Sequence, residues 1–179
     1  LLPQRHPPPP GFQPQLSVVR HFSPQGLPFA FTNGIHASYV EVDVETGLVR
    51  LLKHWVVEDC GRVLNPKLVD EQIRGGVAQG IGMALYEECL YNAEGQLING
   101  SLADYLVPLA PELPDIEVAH METPSRYSEL GAKGAGEAGT AAAPAAIMNA
   151  VNDAIAPLGG RITTMPMTPE RILRALKRI

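Results

Sequence analysis

The chain has 179 residues and a mass of 19.2 kDa; 45% of its residues are apolar and 18% are charged. This length supports one sizeable hydrophobic core and is too short for two, so we expect a single globular domain. The net charge of −5 argues against a nucleic-acid groove or an anionic-membrane patch, because both need concentrated Lys and Arg.

The beginning of the chain differs in composition from the rest. Eight of the 17 prolines lie in the first 28 residues, and no Asp or Glu occurs before Glu41. Proline-rich composition cannot supply regular backbone pairing and is typical of a spacer or of a segment that runs over a partner. We therefore predict an extended arm over residues 1–33 and a folded domain over residues 34–179.

The sequence also bears on location. It contains no stretch of 18 apolar residues, so it predicts neither a transmembrane helix nor a signal peptide. Two cysteines, Cys60 and Cys89, do not make a disulfide framework in a domain with a core of this size. A reducing, cytoplasmic location fits this cysteine usage best.

A β-hairpin is predicted between residues 36 and 57. Apolar and polar residues alternate from His36 to Val44, and a second apolar run extends from Leu48 to Val57. Gly47 between the two runs can take the positive φ that tight turns require.

A helix is predicted from Lys67 to about Tyr86, opened by Pro66 near its first position. Four glycines lie inside it: Gly75, Gly76, Gly80 and Gly82. Each costs about 1 kcal/mol relative to Ala. Because the lack of a Cβ is all that glycine offers there, we expect another backbone or a ligand to approach closely.

Four further elements complete an α+β fold of β-hairpins and short strands packed with about three helices. They are a second hairpin over Glu88–Tyr91 and Gln96–Ile98, a strand over Ile116–Met121, a helix over Ala141–Ile155 that ends before Gly159 and Gly160, and a terminal helix opened by Thr168 and Pro169.

The segment from Ser128 to Thr140 is rich in glycine and leads into a helix start, where free backbone amides favour anions. Glu137 lies in it between Gly136 and Ala138, and these small neighbours allow a substrate to approach. We therefore predict that Glu137 is a general base. The alternative is a Glu that caps the helix or is merely solvated, and spacing alone does not decide between the two.

Two further side chains are candidates for binding. Gln79 lies in the glycine-bearing helix, and its amide both donates and accepts hydrogen bonds, which suits a pterin or nucleotide edge. The alternative is an exposed helix position without a ligand. Lys133 is a candidate for holding a phosphate group, and its alternative is a solvated loop lysine.

No metal motif is visible in the sequence. The five histidines show no pair at metal-ligand helical spacing, and Cys60 and Cys89 lack a CxxC partner. We therefore predict no zinc or iron–sulfur site ligated by this chain. The phosphate-binding and dinucleotide-binding glycine motifs of the common nucleotide folds are absent as well.

Four segments, taken in order, resemble a single family. They are Asp59–Pro66 (DCGRVLNP), Gln72–Gly82 (QIRGGVAQGIG), Gly131–Thr140 (GAKGAGEAGT) and Met165–Leu176. This ordered set is similar to the C-terminal part of the molybdenum-binding large subunit of molybdenum hydroxylases, which include xanthine dehydrogenase, aldehyde oxidoreductase and aerobic carbon monoxide dehydrogenase. The resemblance covers about Gly34 to the end and implies a molybdopterin-binding domain of the xanthine oxidase type.

The resemblance implies roles for particular residues. Glu137 matches the glutamate of the family's K-G-x-G-E motif, the active-site base, and Gln79 matches the glutamine that contacts the pterin. Gly136 belongs to the loop that runs beside the molybdenum. The predicted cofactor-binding set is completed by Ala138, Gly139 and Thr140, which follow the glutamate, and by Lys133.

The cofactor that the resemblance implies is molybdopterin cytosine dinucleotide with molybdenum, or plain molybdopterin. Iron–sulfur and FAD centres are then expected on partner domains or subunits. The implied reaction is the oxidation of an aldehyde, an N-heterocycle or carbon monoxide with oxygen derived from water.

A complete molybdenum subunit is several times longer than this chain. We therefore expect a fragment or a separately encoded piece, whose partners are the remainder of the molybdenum subunit, an iron–sulfur subunit and a flavin subunit. Part of the apolar content should then form an interface, and we expect the chain to associate. The alternatives are a non-catalytic binding or assembly module of the same fold and a stand-alone anion-binding domain.

Overall fold

One three-stranded sheet and three α-helices make up the part of the chain that the computed structural model describes, residues 10–11, 17–23 and 29–179. In chain order these elements are β1 (Asn33–Val42), β2 (Val49–Asp59), α1 (Pro66–Leu85), β3 (Asp115–His120), α2 (Ala138–Ile155) and α3 (Pro169–Ala175). The predicted α+β class with about three helices is confirmed. The predicted arm over residues 1–33 lies largely outside the described residues.

The first hairpin forms where the sequence predicts it. β1 and β2 pair antiparallel, and β3 adds to the other edge of β2 in parallel. The turn is closed by a 2.7 Å hydrogen bond from the Gly47 N–H to the Asp43 carbonyl, and Gly47 has the expected positive φ of 75°. The Asp43 carboxylate accepts a further bond from the Glu45 N–H at 2.9 Å, so the local sequence fixes the hairpin.

A β-bulge in β2 decides which of its side chains face the helices. Tyr39 pairs with Lys53 and Val40 with Leu51, so Leu52 is left without a partner in the register. One extra residue reverses the alternation of side chains along a strand. Residues on both sides of the bulge therefore point to the same buried face. They are Leu51, which precedes Leu52 in the chain, and His54, Val56 and Glu58, which follow it.

Two of the four glycines of α1, Gly76 and Gly80, are explained by the crossing of α1 and α2. An added Cβ at Gly76 would lie 2.9 Å from the Gly139 Cα, and one at Gly80 would lie 2.7 Å from the Ala143 Cβ. Two helix backbones thus meet at small residues, which confirms the expected close approach. Gly75 is different, because an added Cβ there would meet no atom of the described residues within 4 Å.

The hydrophobic core lies between α1, α2 and the inner face of the sheet. Its fully buried members include Ile73, Val77, Ile81, Ile147 and Val151. The outer face of the sheet is not covered by described residues and exposes Ile35 by 75% and Tyr39 by 59%. None of the helices in the described ranges is both long and apolar enough to cross a membrane.

The second predicted hairpin forms as a short one without a regular strand ladder. Its turn has Gly95 at a φ of 79°, Tyr91 and Leu97 form an isolated antiparallel bridge, and the Ile98 N–H donates to the Leu90 carbonyl at 2.8 Å. The side chain of Asn99 adds to this pairing, because its amide oxygen accepts from the Leu90 N–H at 2.9 Å and its amide nitrogen donates to the Glu88 carbonyl at 2.6 Å. A side-chain amide thus takes the place of further backbone pairing beside the hairpin.

The observed ends of α2 and α3 agree with the predicted ends except at the start of α2. α2 begins at Ala138 rather than Ala141, so Glu137 is its N-cap residue and not part of the loop interior. Its end is as predicted, since a short 3₁₀ turn over Ala156–Leu158 leads to Gly159 at a φ of 74°. α3 is capped by Thr168, whose hydroxyl accepts from the Arg171 N–H at 3.4 Å.

Candidate active site

The site is built around Glu137, where the glycine-rich loop becomes α2. Its side chain is exposed and makes no capping hydrogen bond, so the carboxylate does not serve to cap the helix. The Glu137 carbonyl accepts the N–H groups of Thr140 and Ala141 at 3.1 and 3.0 Å. The backbone is thus held in the helix while the carboxylate stays available to a ligand.

The backbone on both sides of Glu137 is held by side chains from other elements. Gln72 of α1 donates through Nε2 to the Gly136 carbonyl at 2.9 Å. His36 of β1 lies with its Nε2 3.1 Å from the Ala138 carbonyl. Since Gly136 and Ala138 directly flank Glu137, the position of its Cα is set from two directions.

Gln79 and Thr140 lie together at the crossing of α1 and α2. The Thr140 hydroxyl is 3.0 Å from the Gly76 carbonyl and 3.4 Å from Oε1 of Gln79. Gln79 itself is exposed, and its amide nitrogen makes no hydrogen bond to any residue that the structure describes. An open cleft of about 550 Å³ begins beside them, and its lining includes Glu137, Thr140, Met83 and Met165. The structure therefore brings three of the predicted site residues to one surface.

The small residues of the predicted set divide into two groups. Gly136 is exposed, and an added Cβ there would meet nothing within 4 Å in the part of the chain that the structure describes, so a ligand can approach its backbone. Ala138 is 2% exposed, and Gly139 is buried against α1. These two side-chain positions face the other helix, so any part they take in binding has to come from their backbone groups.

Lys133 has a partner within the chain. Its Nζ lies 3.2 Å from Asp59 Oδ2, and both side chains are nearly buried. Asp59 also accepts the N–H groups of Gly61 and Thr123 at 2.9 and 3.0 Å. Hydrogen bonds from Thr123, and then from Gly61 and Lys133, hold the pKa of Asp59 below its ordinary value although burial opposes this. The amine of Lys133 is therefore engaged in fixing the loop to the end of β2.

Behind the site lies a chain of buried polar side chains that the sequence did not predict. The rings of His36 and His54 are joined by a 3.1 Å contact from Nδ1 to Nε2. His36 Nε2 is 3.1 Å from Glu58 Oε1, and Ser38 Oγ is 2.8 Å from His54 Nδ1. These side chains alternate along two paired strands, His36 and Ser38 on β1 and His54 and Glu58 on β2, and this alternation is the sequence signal for the network.

The positions of the hydrogens on the two histidines follow from the acceptors that face them. Nε2 of His36 faces two of them, the Glu58 carboxylate and the Ala138 carbonyl, so that nitrogen carries a hydrogen. Burial, together with the neighbouring His36, lowers the pKa of His54 to about 4, and His54 is therefore neutral at pH 7. A neutral His54 that donates its Nε2–H to Nδ1 of His36 accepts the hydrogen of the Ser38 hydroxyl at its own Nδ1.

Comparison with known proteins gives a consistent picture. Residues 11–114 match the family model described as the molybdopterin cofactor-binding domain. The nicotine 6-hydroxylase large subunit of Paenarthrobacter nicotinovorans is 46% identical over 171 residues, which are 96% of this chain and 21% of that protein. The carbon monoxide dehydrogenase large chain of Hydrogenophaga pseudoflava is 34% identical over 172 residues, again 96% of this chain and 21% of that protein.

The solved structures agree. Quinoline 2-oxidoreductase from Pseudomonas putida 86 superposes with a TM-score of 0.79 at 49% identity, over 82% of this chain and 19% of that one. The aldehyde oxidoreductase from Desulfovibrio desulfuricans superposes with a TM-score of 0.72 at 35% identity, over 80% of this chain and 15% of that one. The chain spans about a fifth of the length of the curated relatives it matches.

Proposed function

Because the chain belongs to the family of molybdopterin cofactor-binding domains, we propose that it forms part of the large subunit of a molybdenum hydroxylase and supplies the active-site base, Glu137. The observation that carries this proposal is an exposed carboxylate at the α1–α2 crossing whose backbone is held from both sides. A base has to be fixed within hydrogen-bond reach of the proton it takes. Gln79 and Thr140 beside it are proposed to contact the cofactor.

The residues of this surface fit a pterin better than a bare metal ion. The described part of the chain contains no group of three His, Cys, Asp or Glu side chains that could hold a metal. It offers instead the exposed amide of Gln79 and the Thr140 hydroxyl. Gly75 and Gly136 leave open space where a Cβ would project, so a flat ring can approach the backbone at both. When bound, the molybdenum cofactor accepts the two electrons of substrate oxidation.

The part that this chain plays in the chemistry is proton transfer and positioning. Glu137 accepts the proton that is released when a water-derived oxygen is transferred to an electrophilic carbon. Gln79 and Thr140 orient the pterin, and Lys133, through Asp59, fixes the loop that precedes Glu137. The side chains that select the substrate are proposed to lie in other parts of the subunit.

Replacement of Gln79 by Ala is expected to lower the molybdenum and pterin content of the purified complete enzyme. Loss of one hydrogen bond to the cofactor corresponds to roughly 2- to 10-fold weaker retention. Gln79 is exposed, so the fold should be unaffected within about 0.5 kcal/mol. Metal analysis after gel filtration measures the effect. Glu71→Ala, an exposed change on the same helix, is the control and should keep full cofactor.

The same metal and pterin analysis tests the proposed function as a whole. The wild-type enzyme, purified with its native partner subunits, should contain stoichiometric molybdenum and pterin. A stable complex that contains neither would favour the alternative of a non-catalytic assembly module. Nucleotide analysis of the released pterin decides between the cytosine dinucleotide that we propose and plain molybdopterin.

The partners are proposed from the relatives. Several of these are named as large chains or as subunits of complexes, such as the 6-hydroxypseudooxynicotine dehydrogenase complex subunit gamma. Electrons from the cofactor need further redox centres, so we propose iron–sulfur and FAD centres on partner domains or subunits.

The proposed location is reducing and cytoplasmic. Both thiols, Cys60 and Cys89, are free, which supports this location.

For the substrate class we propose an N-heteroaromatic compound. The relatives named for nicotine hydroxylation and quinoline oxidation are 46% and 49% identical to the chain, against 34% for the carbon monoxide dehydrogenase large chain of Hydrogenophaga pseudoflava. In a panel of nicotine, quinoline, benzaldehyde and carbon monoxide, the complete enzyme should therefore turn over a ring nitrogen compound with the highest kcat/KM. A preference for carbon monoxide or for the aldehyde would contradict this assignment.

A further inference from the structure

His36 connects the sheet to the residue next to Glu137. It lies on β1, its side chain is 1% exposed, and its Nε2 is 3.1 Å from the Ala138 carbonyl. This carbonyl belongs to the first residue of α2. The contact joins residues 102 positions apart, so it transmits the position of the sheet directly to the start of the helix that carries the base.

The His36 ring is itself held on both of its nitrogens. Nδ1 contacts His54 Nε2 at 3.1 Å, and Nε2 also contacts Glu58 Oε1 at 3.1 Å. His54 is completely buried and is anchored in turn by Ser38 at 2.8 Å. An imidazole with both nitrogens bonded has a defined ring orientation, so the single Nε2–H, shared between Glu58 Oε1 and the Ala138 carbonyl, has one fixed direction.

The Glu58 carboxylate has its own pocket. Its Oε2 accepts from the Thr32 hydroxyl at 3.1 Å, and the residue is 2% exposed. An added Cβ at Gly34 would lie 2.5 Å from the Glu58 Cδ, so only glycine leaves room for this side chain. A buried polar network of this kind rigidifies its surroundings when it is fully satisfied and is costly when it is not.

We propose that His36 is a positioning residue for Glu137 and acts through the Ala138 carbonyl. The inference rests on the proposed function of Glu137 as the base. Removal of the Nε2–H contact frees the first turn of α2 to shift, and a displacement of about 1 Å at a catalytic group can lower the rate about 100-fold. Gln72 holds the other side of Glu137 through the Gly136 carbonyl, so the loss should be partial.

Two substitutions separate the two nitrogens of His36 in the complete enzyme. The amide of Asn reaches about as far as Nδ1, so His36→Asn keeps the contact with His54 and loses both Nε2 contacts, those with Ala138 and with Glu58. The amide of Gln reaches about as far as Nε2, so His36→Gln keeps an N–H for the Ala138 carbonyl. We expect kcat per molybdenum to fall about 10- to 100-fold in His36→Asn with KM within about threefold, and to recover to within about fivefold in His36→Gln.

Hydrogen–deuterium exchange of the same proteins supplies a readout that does not depend on turnover. The amides of Thr140 and Ala141 bond to the Glu137 carbonyl, and we expect them to exchange at least about 10-fold faster in His36→Asn. The control is His120→Asn, which removes a different histidine–carboxylate pair, that of His120 with Asp70 at 2.6 Å. It should leave both kcat per molybdenum and these amides unchanged.

Three results would overturn the proposal: a His36→Asn enzyme with wild-type kcat per molybdenum, unchanged exchange at Thr140 and Ala141, or an equal loss in His120→Asn.

Should His36→Asn fail to fold, hydrogen exchange of the wild-type enzyme tests the proposal instead. Its Thr140 and Ala141 amides should be as protected as those in the middle of α2, and exchange typical of a frayed helix start would contradict the proposal. Glu137→Gln is measured alongside. If it keeps turnover, the proposed function is wrong; if only His36→Asn keeps it, this inference alone is wrong.

Discussion

Replacement of Glu137 by Gln is expected to lower turnover per molybdenum by about 10²- to 10⁴-fold, the range that a general base contributes. The substitution keeps the size of the side chain and removes its ability to accept a proton. Because Glu137 is exposed and makes no capping hydrogen bond, its loss should change the free energy of unfolding by less than about 0.5 kcal/mol. The loss therefore belongs to the chemistry and not to the fold.

The measurement is steady-state turnover of the complete enzyme, divided by its molybdenum content. Glu129→Gln, an exposed carboxylate in the preceding loop, is the matched control and should retain wild-type turnover. Molybdenum content should be normal in both variants, because we assign cofactor contacts to Gln79 and Thr140. Turnover of Glu137→Gln equal to that of the control would remove Glu137 from the mechanism.

Replacement of Gly139 by Ala is expected to have the largest effect on stability. An added Cβ would overlap the Ile73 carbonyl oxygen and lie 2.9 Å from the carbonyl carbon of Ile73 and the backbone nitrogen of Val77. These are backbone atoms of α1, so they cannot turn aside as a side chain could. The two helices would have to separate, at a cost of about 3 kcal/mol or more.

Hydrogen exchange of the buried amides in α1 and α2 measures this cost inside the complete enzyme. A loss of about 3 kcal/mol corresponds to more than about 100-fold faster exchange where opening of this domain limits it. Gly75→Ala is the control, since the space around its Cβ is open, and it should stabilise α1 by about 0.5–1 kcal/mol. Equal exchange in the two variants would show that the crossing does not depend on Gly139.

The sequence predicted the elements whose signals are local. The first hairpin follows from alternation and from Gly47, and α1 and α3 follow from Pro66 and Thr168 at their starts. The glycines of α1 also predicted a close approach, although the sequence alone left open whether a backbone or a ligand would approach. The structure shows a backbone at Gly76, which meets α2, and open space among the described residues at Gly75.

The features that the sequence missed depend on contacts between distant segments. The turn residues Asn92–Gly95 predict the second hairpin, but not that the side chain of Asn99 takes over part of its pairing. The bulge at Leu52 turns His54 and Glu58 toward the helices. No local sequence pattern predicts this bulge. The start of α2 was placed three residues too late, because glycine and alanine propensities say little about a helix end that tertiary contacts hold.

In the candidate site, too, the sequence predicts residues that lie in motifs and misses contacts between distant segments. The resemblance selected Glu137, Gln79 and Thr140, and the structure brings them to one surface. The resemblance also places Lys133 in the cofactor-binding set. Its ion pair with Asp59 depends on where β2 ends, which the sequence alone does not show. The contact of His36 with Ala138 joins residues 102 positions apart and has no counterpart in any motif. Their roles in binding and catalysis stay predictions.

The central claim is that the Glu137 carboxylate takes part in the step that oxidises the substrate. Steady-state turnover also depends on electron transfer to partner centres, so anaerobic reduction of the enzyme by substrate alone, followed by rapid-mixing absorbance spectroscopy, tests the claim most directly. We predict that substrate reduces the Glu137→Gln enzyme about 10²- to 10⁴-fold more slowly than wild type, while dithionite reduces both equally. Reduction of Glu137→Gln by substrate at the wild-type rate would contradict the claim.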